Sequence, residues 1–237
     1  MPGKQVAHAA SHMSGFAAGL ALGVAFGAVA VLRRGRPLHP QGVTLAATVR
    51  REGGGASGVP WLDEAGVTEG TVRVSRAMGL PGRWPDIQGL ALRMPKPESR
   101  SSDMADLLFA STGDSPWGRF VLVLRQSLAD GPVTTLLPVR APAGPLLLRL
   151  TPVHGAPVRP LGAGLAVPTR LALSYAVGTG PWVRAGEVVL DQRIEGEDDP
   201  RRHDPIVHQL PGTSQYPVVR GLREPAYAAA RFVSVRR

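Results

Sequence analysis

The chain has 237 residues, Gly 29 and Pro 23, a net charge of +9 and no cysteine. Such a length buries one sizeable core, and punctuation by glycine and proline without a period excludes collagen and favours a turn-rich β protein over long helices. The absence of cysteine excludes disulfides, thiolate catalysis and cysteine metal sites. Of the 27 basic residues only Lys4 and Lys96 are lysines, so the charge is arginine scattered along the chain; with only 5% aromatics to stack on bases, nucleic acid is not the expected partner.

Residues 13–32, MSGFAAGLALGVAFGAVAVL, carry no charge over a length able to cross a bilayer as a helix. Gly15, Gly19, Gly23 and Gly27 recur every four residues, a spacing that lets a second helix approach closely, so a homo-oligomer is an open expectation. Arg33, Arg34 and Arg36 follow, against Lys4 before, which orients such an anchor with the downstream domain in the cytoplasm. Export through a signal peptide is the competing reading, because Ala28-Val29-Ala30 offers a cleavage site; an amphipathic or buried alanine-rich helix is a third. The expected division is a tail and apolar helix over 1–32 and one domain over 33–237.

Next comes RPLHPQG, residues 36–42, in which prolines hold His39 in extended backbone. From residue 43 the chain reads as short strands: VTLAATV, TVRVS, IQGLALRM, ADLLFAS, RFVLVLR, PLLLRLT, RLALSYAV and EVVLD. Val72 and Val74 alternate with Arg73 and Ser75, and Leu90 and Leu92 with Ala91 and Arg93, so one face is packed. This spacing predicts a mainly β, antiparallel barrel or sandwich with about eight strands between residues 43 and 191.

The charged run 195–205 reads as a solvated loop, since His203, His208, Asp199 and Asp204 match no standard metal spacing. Residues 218–233 predict a short C-terminal helix starting near Glu224, with Pro225 in its first turn. Motifs for a P-loop, a nucleophile elbow or a dinucleotide loop are absent, and nothing supplies the metal site of a phosphodiesterase.

Five short pieces in a shared order resemble the haem catalases, and among them the small catalase-like barrel proteins. Arg36-Pro-Leu-His39-Pro-Gln-Gly42 is similar to the R-x-x-H-x-x-G stretch that bears the distal histidine. Val72-Arg73-Val74-Ser75 resembles the V-R-F-S strand, Gly89-Leu90-Ala91 the next strand, and Asp106-Leu107-Leu108 the D-L-V-G-N-N strand. Arg223-Glu224-Pro225-Ala226-Tyr227 matches the R-x-x-x-Y of the proximal helix. The likeness covers about residues 33–125 and the last twenty.

The resemblance implies a haem cofactor and a peroxide or other small-molecule substrate. Tyr227 would ligate the iron as phenolate; its ordinary pKa is about 10, so a cation must keep it ionised, and Arg223 one helical turn earlier suits that task. His39 would carry the proton between peroxide oxygens, Ser75 would fix its tautomer, and Arg36 and Arg73 would pair with propionates. The catalase asparagine falls on Ser111, a shorter donor, while Phe109 and Phe120 are the only nearby phenylalanines and Ala228-Ala229-Ala230 replaces a polar proximal segment. A barrel of this kind without haem, acting as a lipid-associated or protein-binding module, is the alternative.

Overall fold

The structure is a computed structural model describing residues 42–80, 84–96, 103–154, 159–162, 165–194 and 203–221. The apolar segment 13–32, His39, Arg36, Arg223 and Tyr227 lie outside the described residues. Among those described, no helix is long and apolar enough to cross a membrane.

Twelve strands are present among the described residues: β1 (Gly42–Arg51), β2 (Gly66–Arg76), β3 (Gln88–Pro95), β4 (Met104–Ser111), β5 (Val133–Thr134), β6 (Val139–Ala141), β7 (Gly144–Pro152), β8 (Arg159–Gly162), β9 (Leu165–Val167), β10 (Thr169–Val177), β11 (Val183–Arg193) and β12 (Ser214–Gln215). Eight of them close a mainly β, antiparallel barrel in the order β1-β2-β3-β4-β5-β7-β10-β11, with β11 returning to β1. Closure leaves no free edge in the ring. Strands β6 and β12 extend outward from β7, and β8 pairs with β9 in a separate two-stranded ribbon.

Two-residue periodicity decides which side chains fill the barrel. Leu45, Val72, Leu92 and Leu107 stand opposite one another on β1 to β4, and Val43, Val74, Leu90 and Phe109 form the next inward row. These rows meet Leu148, Leu150, Leu171, Leu173 and Val188 from the other side in one core. Each fully buried leucine contributes about 1.5–3 kcal/mol.

The loop from β1 to β2 caps one end. Pro60 opens the single-turn helix α1 (Pro60–Asp63), where its missing N–H costs nothing, and Trp61 and Leu62 enter the core. The Asp63 carboxylate accepts from the Ser57 N–H at 2.9 Å, the Ser57 hydroxyl at 2.8 Å and the Gly58 N–H at 2.7 Å. Tyr175 on β10 ties the loop down by accepting from the Ala56 N–H at 2.9 Å.

Gly186 makes the bulge where β11 slips against β10. Its φ is 155°, and a Cβ there would collide with the Arg50 carbonyl of β1. Only glycine satisfies both constraints.

One segment departs from the sequence reading. RFVLVLR is not a strand: residues Gly118–Phe120 turn as a 3-10 helix, and only isolated bridges at Leu122 and Arg125 follow. Its apolar composition serves a covering segment whose backbone bonds go to Ser111 and Asp86, among others. Residues 217–221 have helical backbone, and the helix start expected near Glu224 lies outside the described residues. Pro217, with its preset φ, suits the first position of that helical stretch.

Candidate functional site

The outer face of β1 to β4 carries Arg73 and Ser75, two of the residues singled out by the resemblance. Gly42 pairs with Ser75, Ser75 with Gly89, and Gly89 with Ala110, so the four form one outward row of small side chains. The row beside it is Thr44, Arg73, Ala91 and Leu108. Ser75 and Gly89 are buried although they face away from the core.

Arg73 and Ser75 therefore stand on one face, two residues apart. The Arg73 guanidinium folds over Gly42: a Cβ at Gly42 would lie 2.5 Å from Arg73 Cζ and 2.6 Å from Nη2. The lack of a side chain at Gly42 is what lets the cation settle there.

Ser111 is placed elsewhere. It lies on the core-facing side of β4, fully buried, where its Oγ accepts from the Gln88 N–H at 3.0 Å and donates to the Val123 carbonyl at 2.6 Å. Both bonds tie β4 to its neighbours, and the β4 residue that shares the row with Ser75 is Ala110. Phe109 likewise faces the core, and Phe120 is buried within the 3-10 turn.

One constellation on this face was not apparent as a unit in the sequence. Arg93 on β3 and Asp106 on β4 are paired in the outward register, and their side chains form a two-pronged ion pair, Nε to Oδ1 at 2.7 Å and Nη2 to Oδ2 at 2.8 Å. Asp106 Oδ2 also accepts from the Asp204 N–H at 2.8 Å and lies 2.8 Å from His208 Nδ1. Burial pushes the Asp106 pKa up, but the bonds from Arg93, His208 and the Asp204 backbone outweigh it and hold the carboxyl below its ordinary range. The pair fixes the orientation of His208 and docks the segment 203–210 onto the barrel.

Among the described residues, no nucleophile completes this dyad. The nearby Thr213 hydroxyl donates to the Leu210 carbonyl at 2.7 Å. Of the four residues weighed as a metal site, Asp199 lies outside the described residues, and no group of three His, Asp or Glu side chains able to hold a metal occurs among those described. Asp204 Oδ1 instead accepts from the Ile206 and Val207 N–H groups, closing its own turn.

A haem would require a flat surface, a cation for its carboxylates and an iron ligand. The row Gly42, Ser75, Gly89 and Ala110 offers a surface without bulky side chains, and Arg73 offers the cation beside it. Of these three, the described residues supply a row of small side chains, with Ser75 and Gly89 buried, and a neighbouring arginine; the expected ligand, Tyr227, lies outside them.

The fold has relatives among solved structures. A bacterial catalase aligns with a TM-score of 0.56 at 13% identity over 86% of this chain and 58% of its own. A fungal catalase aligns with a TM-score of 0.55 at 11% identity over 81% of this chain and 58% of its own. The barrel is therefore catalase-like in fold, and the chain spans under two thirds of the length of those catalases. No protein-family model and no curated protein matches the sequence.

Proposed function

We propose that this chain is a catalase-like haem protein, held at a membrane by residues 13–32 with its barrel facing the cytoplasm, that handles peroxide more slowly than a catalase. The observation that carries the reading is the pairing of Gly42 with Ser75. His39 precedes Gly42 by three positions in the sequence, which favours its approach to the strand that bears Ser75. Arg73 lies over the same glycine. In this reading the haem supplies redox chemistry, His39 moves the proton, Ser75 orients the imidazole, Arg36 and Arg73 hold propionates, and Tyr227 with Arg223 supplies the iron ligand.

Slow turnover follows from the β4 register. Ala110 gives the outer row no hydrogen-bond donor, and the Ser111 hydroxyl is already committed on the other side of the strand. Full-length protein produced with a haem precursor should show a Soret band and slow peroxide decay. A colourless protein that takes up no added haem would sink the reading and leave the haem-free barrel. The anchor is tested separately: full-length protein should stay with membranes through a carbonate wash, whereas recovery in the soluble fraction would remove the tether.

A further inference from the structure

Arg119 is a buried cation with little to neutralise it. The residue is 2% exposed, its Nη1 donates to the Gly178 carbonyl at 3.1 Å, and its Nε is buried without a hydrogen-bond partner. Burial and then the neighbouring charge of Arg149 push the guanidinium below its usual range, while Asp114 works in the opposite direction.

Arg149 lies beside it on the outward face of β7, in register with Thr134 and Ser174. Both guanidinium carbons stand over the Trp182 ring, Arg119 at 4.2 Å from its centroid and Arg149 at 4.5 Å. Arg149 Nη1 is 2.5 Å from Asp114 Oδ1, and its Nε is buried and unpartnered. Asp114, with a side chain 57% exposed, marks the edge open to solvent, and Trp182 Nε1 donates to its carbonyl at 3.4 Å. Arg125, bonded to the Thr112 carbonyl at 2.6 Å, feels Asp114 and Asp130 as well.

A purely structural stack is the simpler account, and magnitudes weigh against it. In such a stack the one nearby carboxylate, Asp114, is bonded to Arg149, which leaves the buried Arg119 only the Trp182 ring and the Gly178 carbonyl against its charge, and burying a guanidinium costs more than a ring face returns. An added anion removes the imbalance.

We propose that Arg149, Arg119 and Trp182 form a binding site for a phosphate-type oxyanion, free or carried by a small molecule, entered from the Asp114 edge. Arg149 makes the direct bonds, with its fork suited to a tetrahedral anion. Arg119 adds a fixed positive charge from beneath. Trp182 holds both guanidinium groups against its ring. The site is independent of haem.

Calorimetric titration and thermal unfolding of the full-length protein test the site, with inorganic phosphate, phenyl phosphate, and sodium chloride at matched ionic strength. Phosphate should bind and raise the Tm where chloride does not. Arg149→Met should abolish the effect, and Asp114→Asn, which frees Arg149 and removes a negative charge, should tighten phosphate about tenfold. Tighter binding of phenyl phosphate identifies the anion as a carried group, and equal binding as free phosphate. Identical responses to phosphate and chloride would overturn the site, as would an Asp114→Asn protein that binds phosphate no more tightly than the native chain.

Discussion

Ser75 and Ala110 belong to the same outward row, with Gly89 between them, while Ser111 one position further along β4 faces the core. The two β4 residues should therefore respond differently to substitution. Ala110→Asn places an amide donor in the Ser75 row and should raise peroxide turnover at least about tenfold in haem-loaded protein, since positioned donors contribute factors of this order or more. Ser111→Ala strands the Gln88 N–H and Val123 carbonyl and should cost about 1–3 kcal/mol in denaturant unfolding. An activity loss in Ser111→Ala at unchanged stability would reverse this assignment.

Tyr227→Phe keeps the ring and removes the oxygen, so the haem spectrum should disappear or shift to another ligation type. His39→Ala should leave the haem bound and slow peroxide decay by about 10²-fold or more. Absorption spectra and peroxide assays on the two variants separate ligation from proton transfer, and an unaltered spectrum in Tyr227→Phe would exclude it as the ligand.

The Asp106 carboxyl imposes an acid limit on stability. Its folded pKa is held below the ordinary value of about 3.9, so its contribution is fully present above that value and is lost as pH falls through the folded pKa. Asp106→Asn should flatten the dependence of Tm on pH below about 4. It also leaves Arg93, 7% exposed, without its anion, a loss of about 3–5 kcal/mol. Unchanged acid sensitivity in this variant would show that other carboxylates set the limit.

Gly186→Ala should destabilise the barrel by about 2 kcal/mol or more, because the added methyl meets the Arg50 carbonyl and the backbone sits at positive φ. Gly54→Ala, also at positive φ but with open space around its Cβ position, isolates the conformational part. Equal losses in urea melts would show that the close approach of β1 contributes nothing.

Most of the ring was legible because alternation is a local signal. Val72 and Val74 on β2, and Leu90 and Leu92 on β3, declare their inward face within four residues of chain. The same two-residue period runs through Ala105, Leu107, Phe109 and Ser111, and it puts Ser111 on the inward face with the apolar residues that precede it. RFVLVLR misleads because its apolar run makes only isolated bridges, with Phe120 buried and Leu124 52% exposed, and the two-residue β5 is too short to show a period. Arg119, Arg149 and Trp182 meet only through tertiary folding, which no local pattern announces. The Asp106–His208 contact spans 102 positions and depends on how the chain returns to β4.

The closing seam joins β1, starting at Gly42, to β11, ending at Arg193. During synthesis the first strand must therefore wait for almost the whole barrel to be made before its second partner exists. Such long-range pairing folds slowly, and until the seam forms β1 presents an unpaired edge able to capture a strand from another chain. A nascent chain halted between β10 and β11 would be an open sheet, the stage at which this protein most needs a chaperone.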